Sequence, residues 1–257
     1  MKHLVYCVLR DARGPMRCIL PAGVEGAQVL LVAEGGLAAA CSVAPDACVT
    51  PTVPRATAYA RVVGALHAVT AVLPFRYGNF LDSGEQVLNL LRVHRAEFLQ
   101  SLEEVEGCDE MGLRILLENR PGLACAQPAC AAPGLPAIAL AATGGAGREF
   151  LEGRRAHYAA EECDEALAAH AAAEVRGALE GLAAKCRAQR SSAPASPLGR
   201  VLSLFFLVRR ENVERFREAF GQLQQETSAK MLLTGPWPPY NFVPGTAAAL
   251  AVAGGSP

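Results

Sequence analysis

The chain has 257 residues, enough for two domains of ordinary size, and 51% of them are apolar, so a sizeable core is expected. Lys+Arg 24 against Asp+Glu 25 leaves a net charge of −1 and no basic excess to neutralise phosphates, which argues against a nucleic-acid partner. Nine cysteines, an odd number without CxxC spacing, argue against a secreted disulfide framework and fit a reducing cytoplasm.

The opening MKHLVYCVLRDARG has too short an apolar stretch for a signal peptide, and no run elsewhere approaches a membrane span, so a soluble protein is expected. HLVYCVLR (3–10) reads as a strand. AQVLLVAEGGLAAACSVAP reads as a hairpin turning at Gly35-Gly36. Beyond Pro51 and Pro54, Tyr59, Val62, Val63, Leu66 and Val69 recur at helical spacing. VLPFRYGNF (72–80) is extended, with Pro74 favouring an edge or strand end. Asp82-Ser83-Gly84-Glu85 resembles a capping box with Asp82 as cap; it opens one helix with Val87, Leu91, His94, Phe98, Leu102 and Val105 on one face, ended by Gly107.

GLRILLE (112–118) is the next expected strand, followed by a Pro/Gly/Ala-rich loop or lid over 119–147. A helical region is predicted over about 148–190, with Leu167, Val175, Leu179, Leu182 and Cys186 as its apolar stripe. SSAPASPLG (191–199) is a linker. RVLSLFFLVRR is apolar on both faces and hence a central strand. Asn212 caps a helix with Val213, Phe216, Phe220 and Leu223 inward, and KMLLTG is the last strand. The pattern is α+β in two domains, 1–107 and 108–243, the second a modified ferredoxin-like βαββαβ fold with a helical extension; 244–257 is a low-complexity tail.

Catalytic signatures are missing. GGAGREFLEGRR (144–155) is Gly-rich before a helix but lacks the Lys-Ser/Thr pair of a phosphate loop, and GxGxxG is absent. Arg148, Arg154 and Arg155 offer a cationic patch on one helix face. The five histidines form no HxH or HExxH. CAQPAC has no nearby His for zinc, and EECDEALAAH (161–170) reads as a solvated charged face before it reads as a metal patch. No catalytic residue, cofactor site or metal site is expected. Cys7, Cys41 and Cys108 are expected reduced and buried.

Two stretches carry interaction potential. PFRYG sets Arg76 between Phe75 and Tyr77, either as a solvated Arg beside two core aromatics or as a guanidinium offered to a partner carboxylate. LTGPWPPYNFV (233–243) holds the only tryptophan. Pro236, Pro238 and Pro239 stiffen the backbone that carries Trp237, Tyr240 and Phe242, and both a core plug and a docking surface fit such a segment. The expectation is that Leu232 and Leu233 finish the last strand, Gly235 turns it, Trp237 packs across the domain junction with its ring only partly exposed, and the prolines hold Tyr240 and Phe242 in an extended path along the surface.

In order along the chain, PFRYGNF, GGAGREFLEGRR and LTGPWPPYNFV resemble motifs of the GvpF/GvpL family of gas vesicle proteins. The departures are the Ala/Cys-rich loop at 120–146 and the tail after Val243. The resemblance implies two α+β domains, the second a modified ferredoxin-like fold. It also implies a non-enzymatic accessory or minor structural role at the gas vesicle in the cytoplasm, with the main shell protein and other gas vesicle accessory proteins as partners and no nucleic acid, membrane or small-molecule substrate. Phe75, Arg76, Tyr77, Arg148, Arg154, Trp237, Tyr240 and Phe242 are the candidate interaction residues. The alternatives are a ligand- or haem-binding enzyme on a ferredoxin-like scaffold, which requires a His facing an apolar cavity, and a small-molecule regulatory domain.

Overall fold

The computed structural model describes residues 2–11, 20–45, 48, 50–117, 154, 158, 166, 168–190, 200–227 and 229–245. The loop expected over 119–147, Arg148, Leu167, the linker 191–199 and the tail after 245 lie outside these residues.

Strand β1 (Lys2–Arg10) is central in the first sheet and buried on both faces, which explains its nearly unbroken apolar run. A bulge at Tyr6, between Val5 and Cys7, resets the alternation of its side chains. Leu4, Tyr6, Cys7 and Leu9 therefore face one core while Val5 and Val8 face another. Strands β2 (Val29–Glu34) and β3 (Leu37–Ala44) form the expected hairpin. Its two-residue loop, Gly35 (φ 59°) and Gly36 (φ 84°), needs left-handed backbone at both positions, where glycine carries no steric cost.

Helix α1 (Val53–His67) is capped by Thr52 and buries Tyr59, Val62, Val63 and Leu66, as the spacing predicts. Val69 lies beyond the helix and is exposed. Strand β4 (Val72–Pro74) pairs with β1 at the sheet edge, where Pro74 is tolerated, and β5 (Phe80–Leu81) pairs with the start of β1. The Tyr59 hydroxyl lies within 3.0 Å of the carbonyls of Val5 and Tyr6 and 2.9 Å of that of Phe75, tying α1 to β1 and to the residue that follows β4.

The single helix expected after Ser83 is two: α2 (Gly84–Val93) and α3 (Arg95–Val105), broken at His94, whose ψ of 17° leaves the helical range. The break lets α2 cover β2 and β3 while α3 covers β4 and β1. His94, expected within the core stripe, sits at the break with Nδ1 3.3 Å from Glu97. The cap is also shifted by one residue. Ser83 Oγ accepts from Gln86 N at 3.2 Å, and Gln86 Oε1 accepts from Asp82 N at 2.8 Å.

The second sheet contains β6 (Cys108–Leu117), β7 (Lys185–Arg190), β8 (Arg200–Arg209) and β9 (Lys230–Trp237) in the order β7-β8-β6-β9, all neighbours antiparallel. Helix α4 (168–178) packs Val175 on it, with Leu179 just beyond the helix, and α5 (Val213–Glu226) packs Val213, Phe216 and Phe220. β8 is central, as its sequence predicts. Asn212 stands at the N-cap position of α5 without a side-chain cap hydrogen bond. β7 overturns the helical reading of 185–190: the helix ends before Gly181, and KCRAQR pairs along β8 with Cys186 half-buried. β9 overturns the expected stop at Gly235. It runs on through Pro236 to Trp237, which an edge strand permits because one side of its backbone needs no partner.

Among the described residues the apolar side chains gather in three clusters. One lies between the first sheet and α1, and one between the second sheet and its helices. The third joins the halves: Val5, Leu73, Phe75, Phe98 and Leu102 of the first pack with Cys108, Leu207, Phe242 and Val243 of the second. Cys7, Cys41, Cys48 and Cys108 are buried and free, as expected for the three that the sequence singled out. Among the described residues no helix is long and apolar enough to cross a membrane.

Candidate functional site at the junction of the two halves

The segment after β9 turns tightly, with Tyr240 N donating to Pro238 O at 2.8 Å and Phe242 N to Pro239 O at 3.1 Å. The turn drives Phe242 inward, leaving it 4% exposed within the cluster between the halves. Tyr240 packs partly buried against the α1 core, and that burial raises its hydroxyl pKa. Between them stands Asn241, whose polar groups are all engaged. Its backbone N–H and Nδ2 donate to the two carboxylate oxygens of Glu110 at 2.7 and 2.6 Å. Its Oδ1 accepts from Arg76 Nη2 at 3.3 Å, and its carbonyl accepts from Arg187 Nη1 at 2.6 Å.

Glu110, on β6, is only 4% exposed. Burial raises its pKa above the ordinary glutamate value, opposed by the two Asn241 hydrogen bonds and by the charges of Arg76 and Arg187. Arg187 comes from β7 and also lies over the Phe242 ring, 5.4 Å from its centroid. The two guanidinia, one from each half, border a cleft of about 370 Å³ lined also by Pro74, Phe205, Tyr240 and Asn241.

A second polar cluster crosses the same junction. His67, at the end of α1, places Nε2 2.7 Å from Asp109 Oδ1 on β6, and Arg210 Nε donates to that oxygen at 3.1 Å. Arg210 also donates to the His67 carbonyl. Burial lowers the His67 pKa despite Asp109, and Arg210 adds to the depression. Its Nδ1 is buried with no hydrogen-bond partner among the described residues.

The sequence-predicted interaction residues do not form one patch. Arg76 and Tyr240 share the cleft. Phe75 and Phe242 are core residues, and Phe75 meets Phe98 edge to face at 6.5 Å. Tyr77 is half-buried, set edge-on to Tyr59 with its hydroxyl donating to the Cys48 carbonyl. Arg154 is exposed, with its guanidinium on Tyr158. Trp237 and Phe242 exchange the positions expected of them: because β9 continues past Gly235, Trp237 sits on the edge strand, 52% exposed, and the later turn buries Phe242. Leu232 on the same strand is 58% exposed.

No sequence signal marks Glu110, Asn241, Arg187, His67, Asp109 or Arg210 as a site: Asn241 stands in a motif dominated by its aromatics, and Arg187 falls in a stretch whose spacing predicts a helix. Among the described residues no group of three or more His, Cys, Asp or Glu could hold a metal ion, and no histidine lines the cleft.

The class these features define is a two-sheet α+β protein whose C-terminal aromatic-proline segment locks one half on the other. Residues 2–244 match the family described as gas vesicle synthesis protein GvpL/GvpF, and the chain belongs to that family. It is 28% identical over 191 residues to gas vesicle protein L of Streptomyces sp. (strain CB03234), covering 73% of this chain and 68% of that protein. Its fold is similar to the crystal structure of GvpF from Anabaena sp. PCC7120, with a TM-score of 0.69, 14% identity, and 95% and 96% of the two chains covered. GvpF from Microcystis aeruginosa gives 0.67 at 14% identity over 94% and 98%.

Proposed function

We propose that this protein is an accessory or minor structural component of gas vesicle assembly, acting at the vesicle in the cytoplasm. It works by non-catalytic contact with the main shell protein and with other gas vesicle accessory proteins, and uses no cofactor. Membership of a gas vesicle family supports the process. The observation that carries the contact is the outer edge of β9, where Leu232 and Trp237 stay exposed on a strand whose outer side no other strand among the described residues pairs. Apolar side chains on a held strand lose little conformational entropy on binding and suit an apolar partner.

In this reading the chain has two domains, 1–107 and 108–243, with 244–257 as a tail. The second is a modified ferredoxin-like fold: the succession β6-α4-β7-β8-α5-β9 and the order β7-β8-β6-β9 support it. Phe75, Tyr77 and Phe242 act from inside by fixing the domain arrangement. Trp237, Tyr240 and Arg76 contribute from the surface, and Arg148 with Arg154 forms a separate cationic contact.

Affinity capture from cells co-expressing the tagged chain and the main shell protein tests this reading. The wild type should retain the shell protein, and Leu232→Ser with Trp237→Ala should lose most of it at an unchanged melting temperature. Equal capture by wild type and double variant contradicts it.

A further inference from the structure

We infer that the junction cleft is a recognition site for a carboxylate, the side chain of a Glu or Asp on an extended acidic segment of a partner protein. The case rests on the hydrogen-bonding capacity left in the cleft. A guanidinium carries five N–H donors in a fixed plane. Arg76 spends one, on Asn241 Oδ1 at 3.3 Å; Arg187 spends one, on the Asn241 carbonyl at 2.6 Å, and rests its face on Phe242. Neither is paired with a carboxylate by direct contact among the described residues.

Among the described residues Glu110 is the acid on which both guanidinium charges act, and it is already engaged. Both of its oxygens are occupied by Asn241 N–H groups, and it is buried beneath that residue. Asn241 thus separates the charges: its donors satisfy the carboxylate below and its acceptors hold the two guanidinia above. The cleft, about 370 Å³ in volume, is lined by two cations and, among the described residues, by no anion, since Glu110 lies behind Asn241 and outside the lining. Pro74, Phe205 and Tyr240 supply apolar walls, which lower the local dielectric and strengthen a guanidinium–carboxylate pair relative to one in open water. The size and the open mouth suit one acidic side chain with its flanking backbone.

Because Arg76 belongs to the first half and Arg187 to the second, one bound carboxylate would bridge both and fix their relative placement. The inference extends the docking role proposed above by naming the chemistry of a partner. It does not depend on that partner being the shell protein.

The test is fluorescence anisotropy on the full chain with a rhodamine-labelled, N-acetylated, C-amidated octapeptide holding two Glu in a Gly/Leu context. The comparison peptides are its Gln counterpart and a Gln version with a free C-terminal carboxylate. The Glu peptide should bind about tenfold tighter than the Gln amide, the scale of one charge-assisted bidentate contact. Arg76→Gln and Arg187→Gln should each weaken it several-fold. Arg76→Lys with Arg187→Lys, which keeps the charge and removes the planar fork, should weaken it while circular dichroism shows the chain still folded at the assay temperature.

Equal binding of the Glu and Gln amides, undiminished binding by the double Lys variant, or no binding of any peptide overturns the inference. Binding of the free-carboxylate peptide alone overturns the side-chain source in favour of a chain terminus. If the peptide fails while the shell protein is still captured, the inference falls and the docking reading stands.

Discussion

Asn241 shows how one side chain can decide a junction. Removing its amide by Asn241→Ala keeps the backbone N–H to Glu110 but strips the second oxygen of its donor inside the protein. A buried acceptor left unpaired costs about 1–3 kcal/mol, so chemical denaturation should show a loss of that size. His67 makes a pH prediction. Burial holds its folded pKa below the ordinary histidine value of 6.5, so between that depressed value and 6.5 the unfolded chain binds more protons than the folded one. Stability contributed by neutral His67 is therefore full above about pH 6.5 and is lost as pH falls through the folded value. Protonation would also place an N–H at Nδ1 with no acceptor among the described residues. Glu110, whose pKa is raised, works in the opposite direction, so the informative quantity is the difference between wild type and His67→Gln. On acidification the wild type should lose stability faster than the variant, by no more than about 1.4 kcal/mol per pH unit. Parallel curves would contradict the assignment.

The elements differ in how far the sequence betrays them. β1 and β8 are apolar on both faces because they are central, and the Gly-Gly loop of the first hairpin is dictated by backbone sterics; all three are legible without coordinates. The break at His94 is not, because the apolar positions of α2 and α3 keep one helical phase across it. β7 is hidden for another reason: KCRAQR is a short, polar edge strand whose identity comes from its pairing with β8. The end of β9 is masked by local rules, since prolines read as a stop and only the edge position makes them acceptable. The site shared that fate. Its aromatics were visible in the motif, but the arginine from β7 and the acid from β6 reach it only through tertiary pairing. Gly235 gives the element-scale test. Its φ of 116° and the approach of a built Cβ to 2.7 Å from the Glu110 carbonyl oxygen leave no room for a side chain. Gly235→Ala should cost on the order of 1–3 kcal/mol and loosen β9 from β6, seen as faster amide exchange at Leu232 to Thr234. An unchanged exchange rate would mean the strand does not depend on that close approach.

At the scale of the whole molecule, one apolar cluster and two polar clusters among the described residues hold the halves together, while Leu232 and Trp237 on β9 stay exposed. The two roles fall on different aromatics. Phe242→Ala should lower stability by about 3–5 kcal/mol, as truncation of a fully packed Phe does, and Trp237→Ala by less than about 1 kcal/mol. A reversed order in a thermal or urea melt would mean that Trp237 is the plug. The central claim is that the exposed edge of β9 serves gas vesicle assembly, and it is tested most directly in cells whose own copy of the gene is replaced by Leu232→Ser with Trp237→Ala. The measurement is vesicle yield by light scattering, alongside the abundance of the chain. The account predicts few or no vesicles at normal protein abundance; full vesicle yield from the double variant would contradict it.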